Sequence, residues 1–176
     1  LTAPLLHTDR LTLRPHSATD LDACAALWGD AAVVRHIGGA PQDRQAVWFR
    51  LLRYAGMWSL LGYGMWAVES RTTGAFLGDA GLMRAERGIA ELDDAMEAGW
   101  AFGPEAWGRG IATEAMRAVL NWADGTLGAP PIRCIIEPGN AGSIRVAAKL
   151  GFLPIAEARA GAQPIRVFER AGQAAS

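Results

Sequence analysis

The stretch GPEAWGRGIATEAMRAVLNWA, Gly103 to Ala123, changes chemistry at its midpoint, and that change constrains the fold more than any other feature of the chain. Up to Gly110 it holds three glycines and a proline; from Ile111 onward it holds neither. In the second half Ala112, Ala115, Met116, Val119 and Ala123 recur at three- and four-residue steps, the period of an amphipathic helix. A helix N-terminus carries unpaired N–H groups and partial positive charge, so glycines placed there let a phosphate approach the backbone closely. Taken alone, the stretch reads either as a phosphate cradle or as an ordinary strand-to-helix turn. It is no dinucleotide fingerprint, because Thr113 stands where the third glycine would be, and it lacks the Gly-Lys-Ser/Thr ending of a P-loop.

The flanking segments say what such a loop would connect. RLTLRP alternates, with Leu11 and Leu13 on one side and Thr12 and Arg14 on the other, until Pro15 stops it. SATD, Ser17 to Asp20, resembles a capping box ahead of a helix with the stripe Leu21, Cys24, Ala25, Leu27 and Trp28. HIGGAP, His36 to Pro41, reads as a loop. A second helix is expected from about Asp43 to Leu60, with Val47, Leu51, Leu52 and Ala55 inward. GMWAVES and AFLGDAGLMR read as strands joined by the turn Arg71 to Gly74, and Ala95 to Phe102 as a third, after the acidic run Glu91 to Asp94. PIRCIIEP is a short strand between prolines. NAGSIRVAAKLGF is a helix with Asn140 as N-cap and Gly151 in the C-terminal turn. LPIAEA and QPIRVFE form a closing hairpin, and AGQAAS a frayed tail. The fold class is therefore α/β (α+β): one domain over residues 1–176, with a mixed central sheet of about six to seven strands flanked by helices. The unit from Ala95 to Ile136 should make two parallel strands, which puts the glycine loop at the carboxyl end of the first, where open sheets bind ligands.

Composition removes several functions. Seventeen basic and 18 acidic residues nearly cancel, so no bulk charge favours nucleic acid or an anionic membrane. The longest uncharged run, Tyr54 to Val68, is about fifteen residues, short of a bilayer span. LTAPLL lacks a basic flank and the apolar stretch of a secretory signal. Cys24 and Cys134 stand far apart in no metal-like spacing, so the expectation is a reduced, cytoplasmic protein without a bound metal.

Four segments in order, TDRLTLRP, GYGMWAVESRTTGAFLGDAGL, EAGWAFGPEAWGRGIATEA and NAGSIRVAAKLGF, resemble the GNAT superfamily of N-acetyltransferases, and most closely its RimJ/RimL-type branch. The resemblance implies an enzyme that moves an acetyl group from acetyl-CoA to a primary amine, by direct attack in a ternary complex. The acceptor would be a protein N-terminus or a small amine, and a homodimer would be unsurprising. It implies that Trp107, Gly108, Arg109, Gly110, Ile111, Ala112 and Thr113 hold the pyrophosphate through backbone amides, as an anion nest would. Trp107 departs from the wider superfamily, where glutamine or arginine is usual. Asn140 matches the family's cofactor-contacting asparagine, and backbone N–H groups of Trp100, Ala101 and Phe102 are expected to orient pantetheine or the carbonyl oxygen.

The chemistry then sets requirements. A lysine-type amine, pKa about 10.4, is only about one part in a thousand neutral near pH 7.4, a deficit of roughly 4 kcal/mol, whereas a chain α-amine loses under about 1 kcal/mol. A base therefore matters most for a lysine-like acceptor. Glu97, where GNAT enzymes often carry a glutamate, is the candidate; a solvated strand carboxylate is the plain alternative. Glu69 and Asp79 are weaker candidates, read as surface or turn residues. The tyrosine that many GNAT enzymes use as acid is replaced by Ala147, and Ser143 is the candidate partner of the leaving sulfur, or else a helix residue bonding locally. Cys134 reads as core. His36, Trp48, Trp66 and the segment Ala158 to Pro164 are candidates to shape an acceptor pocket. A non-catalytic acyl-CoA sensor of the same fold is the rival reading.

Overall fold

In the computed structural model, which describes residues 2–93 and 95–172, a two-residue strand, Leu6–His7 (β1), precedes Leu11–Arg14 (β2). The alternation in β2 places Leu11 and Leu13 wholly inside. Ser17 N–H donates to Asp20 Oδ2 (2.7 Å), starting a turn that runs into Leu21–Gly29 (α1). Asp30 then caps a four-residue helix, Ala31–Val34 (α2), and Asp43 caps Arg44–Leu61 (α3). Met65–Ser70 (β3), Phe76–Met83 (β4) and Met96–Phe102 (β5) form an antiparallel meander. Ile111–Leu127 (α4) crosses to Ile132–Ile136 (β6), and Ala141–Lys149 (α5) leads to the hairpin Leu153–Ala160 (β7) and Gln163–Arg170 (β8).

The sheet order is β1-β2-β3-β4-β5-β6-β8-β7. β5 and β6 are parallel, as expected for strands joined through α4, and the other neighbouring pairs are antiparallel. β5 and β6 pair at Met96↔Ile132 and Glu97↔Arg133, and beyond these residues no register joins them. From Ala98 onward the sheet has a gap, and one edge of β5 offers N–H and C=O groups without a strand partner. One sheet face packs Trp66, Val68, Ala98 and Phe102 against Met116, Val119 and Ala147 of α4 and α5. On the other, Met65 and Ala101 pack against Leu27, Val33, Leu51 and Tyr54 of α1 to α3.

The mixed sheet flanked by helices is as the sequence implies, with eight strands where about six to seven were expected. The extra one, β1, is too short to show an alternation. α2 was also unexpected; its signal is the capping Asp30, whose side chain accepts from Ala32 N–H (2.8 Å). In α3 the buried line is Val47, Leu51, Tyr54 and Trp58 with Met57, whereas Leu52 and Ala55 are exposed. The larger aromatic rings, one step round the helix, take the inward face. Ala158 to Pro164 is the end of the closing hairpin and no free loop. Trp66 packs edge-on against Trp58 and Trp122, centroids 4.6 and 5.1 Å away, and Trp48 packs on the α1–α3 core. Of the tail, Gln173 to Ser176 lie outside the described residues, as does Asp94 of the acidic run. Among the described residues, no helix is long and apolar enough to cross a membrane.

Candidate active site

A cleft of about 680 Å³ lies between the last residues of β5, Trp100 to Phe102, and the turn and helix that follow β6, and ends at the start of α4. It is lined from both sides of the sheet. Trp100, Phe102 and Val146 belong to the α4–α5 face, and Ala101, Val33 and Ile37 to the α1–α3 face. The cleft therefore passes through the sheet.

At one end Gly108 and Gly110 take left-handed backbone angles, φ +70° and +77°, which a side chain strains to adopt. Gly110 is the N-cap of α4, and having no side chain it leaves the first N–H groups of the helix uncapped and turned to the cleft. Trp107 Nε1 donates to Phe102 O (2.8 Å), tying the loop to the end of β5. From the β1–β2 turn, Arg10 Nη1 donates to Arg109 O (3.0 Å) and its Nε donates to Glu114 Oε2 (2.7 Å). Thr8 Oγ1 donates to Glu114 Oε1 (2.5 Å). Burial pushes the Glu114 carboxyl up, but the hydrogen bonds from Thr8 and Arg10 outweigh it and hold its pKa below the usual value. The sequence shows Glu114 only as an acid in a helix's first turn. A partner more than 100 positions away leaves no local signal.

In the middle, Trp100 Nε1 donates to Ser143 Oγ (3.2 Å) across the gap. The N-cap Asn140 accepts from the Ser143 backbone N–H (3.0 Å), which fixes the first turn of α5. A serine hydroxyl that accepts from Trp100 still has its own proton to give. Ala147, one turn on, is wholly buried and faces the core. Of the residues expected around the cofactor, Trp100, Ala101, Phe102, Trp107, Gly108, Gly110, Ile111, Ala112, Thr113, Asn140 and Ser143 all line the cleft. Arg109 does not; its Nη1 donates to Glu105 O (3.1 Å). Arg35, Arg145 and Lys149 also line it, and among the described residues none of the three has an ion-pair partner.

The structure does not bring Glu97 to this cleft. The residue is buried at the closed end of the β5–β6 pair, gripped by Arg87 through Nε and Nη2 (3.0 Å each) in a separate cavity of about 280 Å³. Glu69 pairs with Arg14 on the sheet's margin. Asp79 is no surface or turn residue but wholly buried, its oxygens accepting from His16 Nε2 and Trp28 Nε1 (2.7 Å each). His16, Cys24 and Asp79 place ligand-type atoms within 4.8 Å of one another. Asp79 is already satisfied there, and burial raises the Cys24 thiol, so the cluster reads as a packed polar core. Burial likewise raises the Cys134 thiol, which suits a core residue.

His36 lies in the turn after α2, as expected of HIGGAP, and as a candidate for the acceptor pocket it lines the cleft; its Nδ1 lies 2.9 Å from Glu137 Oε2, just past the end of β6. Trp48 and Trp66 do not line it.

A sheet parted between two parallel strands, with an uncapped helix N-terminus at one end of the opening, defines a protein that seats an anionic, elongated ligand through its sheet. The chain belongs to the acetyltransferase (GNAT) domain family, whose model matches residues 10–153, and it is an acetyltransferase. It is 33% identical over 171 residues to the uncharacterised protein YkkB of Bacillus subtilis strain 168, covering 94% of each chain. A GnaT-family acetyltransferase from Bordetella pertussis superimposes with a TM-score of 0.85 at 30% identity, covering 96% of this chain and 100% of that one. RimL, a ribosomal L7/L12 alpha-N-protein acetyltransferase solved in complex with coenzyme A, shares the fold at 13% identity, with a TM-score of 0.78 and coverage of 96% and 98%.

Proposed function

We propose that residues 1–176 act as one domain that transfers an acetyl group from acetyl-CoA to a primary amine, a protein N-terminus or a small amine, by direct attack in a ternary complex. The reading places the chain in the RimJ/RimL-type branch and in a reducing cytoplasm, in keeping with two free, buried cysteines. One observation carries it: an opening through the sheet joins uncapped N–H groups at the start of α4 to a hydroxyl held over the gap by Trp100.

The residues fit the cosubstrate. A pyrophosphate has N–H groups at Ile111 to Thr113 and open space beside Gly108, where an added Cβ would meet nothing within 4 Å; at Gly110 the nearest side-chain atom to an added Cβ is Arg10 Nη2, 3.6 Å away. Arg35, Arg145 and Lys149 add positive charge along the walls. The bound thioester supplies the acyl carbon. The free edge of β5 from Ala98 to Phe102 holds amide groups for the pantetheine arm and the acyl oxygen. Ser143 has a proton to share with the departing sulfur. A thiol of ordinary pKa about 8.5 leaves tolerably as thiolate, so a weak donor suffices.

The test is coenzyme A release from acetyl-CoA across a panel of amines, run beside cosubstrate binding by calorimetry. Release that depends on an added amine supports transfer; tight binding with no release for any amine supports an acyl-CoA sensor. Gly110→Asp localises the site. It should weaken acetyl-CoA binding at least about tenfold, because a carboxylate would face the diphosphate. Its effect on stability should stay near 1–2 kcal/mol, the strain of a side chain in the left-handed region. Unchanged binding would remove the loop from the assignment.

A further inference from the structure

Resting on that reading, we infer that His36, held by Glu137, is the group that takes the proton from the acceptor amine. The cleft as described has a proton to give, at Ser143, and no carboxylate free to take one. Glu97, at the closed end of the β5–β6 pair, is engaged by Arg87 in another cavity.

Three observations converge on His36. It lines the cleft from the turn after α2, between Val33 and Ile37 of the α1–α3 face and the turn that leads into α5, so an amine entering past that turn meets it. Its Nδ1 lies 2.9 Å from Glu137 Oε2 across 101 residues of sequence, and side-chain exposures of 28% and 29% keep both groups within reach of solvent. An ionised carboxylate only accepts, so Nδ1 carries the hydrogen; the lone pair of the neutral ring is then on Nε2, which no hydrogen bond engages among the described residues. Third, the ring lies against the turn that carries the helix cap: an added Cβ on Gly139 would stand 3.5 Å from His36 Cε1, and Asn140 next to it fixes Ser143. A carboxylate setting the tautomer of an imidazole is the arrangement by which hydrolase triads orient a base. Imidazole is also the side chain suited to proton transfer near neutrality. The charged groups around it are Glu137, which touches it, and Arg35, Arg145 and Lys149, which share the cleft.

The step balances simply. An alkylammonium gives one proton to Nε2 of His36, leaving a neutral amine and an imidazolium beside Glu137. The nitrogen lone pair forms the C–N bond at the acyl carbon, the C–S bond breaks with its pair on sulfur, and the amide nitrogen's surplus proton passes to solvent. His36 is here a catalytic residue, and Glu137 a positioning residue.

The experiment measures kcat/KM against pH for the full chain with acetyl-CoA and a lysine-like alkylamine, in the wild type, His36→Gln, Glu137→Gln and Glu97→Gln. His36→Gln should lose roughly 100-fold or more at neutral pH, and regain most of it as pH approaches the amine's own pKa. Its acetyl-CoA dissociation constant should stay within about twofold, since the base does not hold the cosubstrate. Glu137→Gln should lose about tenfold and shift the same limb of the profile, an effect a merely structural residue would not produce. An unaltered profile in both variants, or a loss matched by weakened acetyl-CoA binding, overturns the assignment. So does a profile that changes only in Glu97→Gln. A wild-type chain that binds acetyl-CoA yet acetylates no amine would overturn the transfer reading itself. Wild-type turnover with an indifferent His36→Gln would overturn this inference alone.

Discussion

Glu114 shows how one side chain can serve two distant parts of the chain. It sits in the first turn of α4, where a carboxylate favours the helix dipole, and it also receives Thr8 and Arg10 from the β1–β2 turn. Its pKa is held below the ordinary 4.5 because those hydrogen bonds outweigh burial. A lowered folded-state pKa means the stabilisation is complete above about pH 4.5 and disappears as pH falls through the lower value. Glu114→Gln should therefore cost on the order of 1 kcal/mol near neutral pH, in view of the half-exposed Arg10. The gap to wild type should narrow as pH falls below 4.5 and close once it has passed the lowered folded-state value, where both chains lack the charge. Urea unfolding at neutral pH and along an acid series checks this. A gap that persists in acid would assign the effect to packing.

Among the elements, α5 ties stability and ligand contact to one cap. Asn140 accepts from Ser143 N–H and also lines the cleft, so sequence alone left its cap and ligand roles entangled. Two substitutions separate them. Asn140→Ala removes the acceptor and should cost about 1 kcal/mol, lowering the melting temperature by roughly 2–4 °C. Asn140→Asp keeps the cap and suits the helix dipole, so stability should hold while acetyl-CoA binds more weakly. Thermal melts and calorimetry on both variants decide it. The far end of α5 was legible in detail: Gly151 N–H donates to Ala148 O (3.2 Å) and Phe152 N–H to Ala147 O (3.0 Å), the paired closure expected of glycine followed by an apolar residue. α3 was less so, because Leu52 and Tyr54 lie on nearly opposite faces, either of which could have been the inward one, and only the packed sheet decides between them.

For the whole molecule, what the sequence displayed was local: strand alternation, caps, glycine turns, and the loop before α4. What it hid was long-range. Glu97 stands at the position the resemblance marks, yet Arg87 meets it in a cavity away from the cleft, and nothing in the spacing of the two residues foretells that pairing. His36 sits in its loop as expected, but its partner was hidden, because Glu137 reaches it only after the sheet has closed. Arg10 looked like the edge of a strand. Its guanidinium in fact spans the β1–β2 turn, the Arg109 carbonyl and the head of α4. A diphosphate that quietens residues 107–113 should thereby slow deuterium uptake at Thr8 to Leu11, backbone it never touches, and lysine in place of Arg10 should abolish that remote protection by giving up the forked grip.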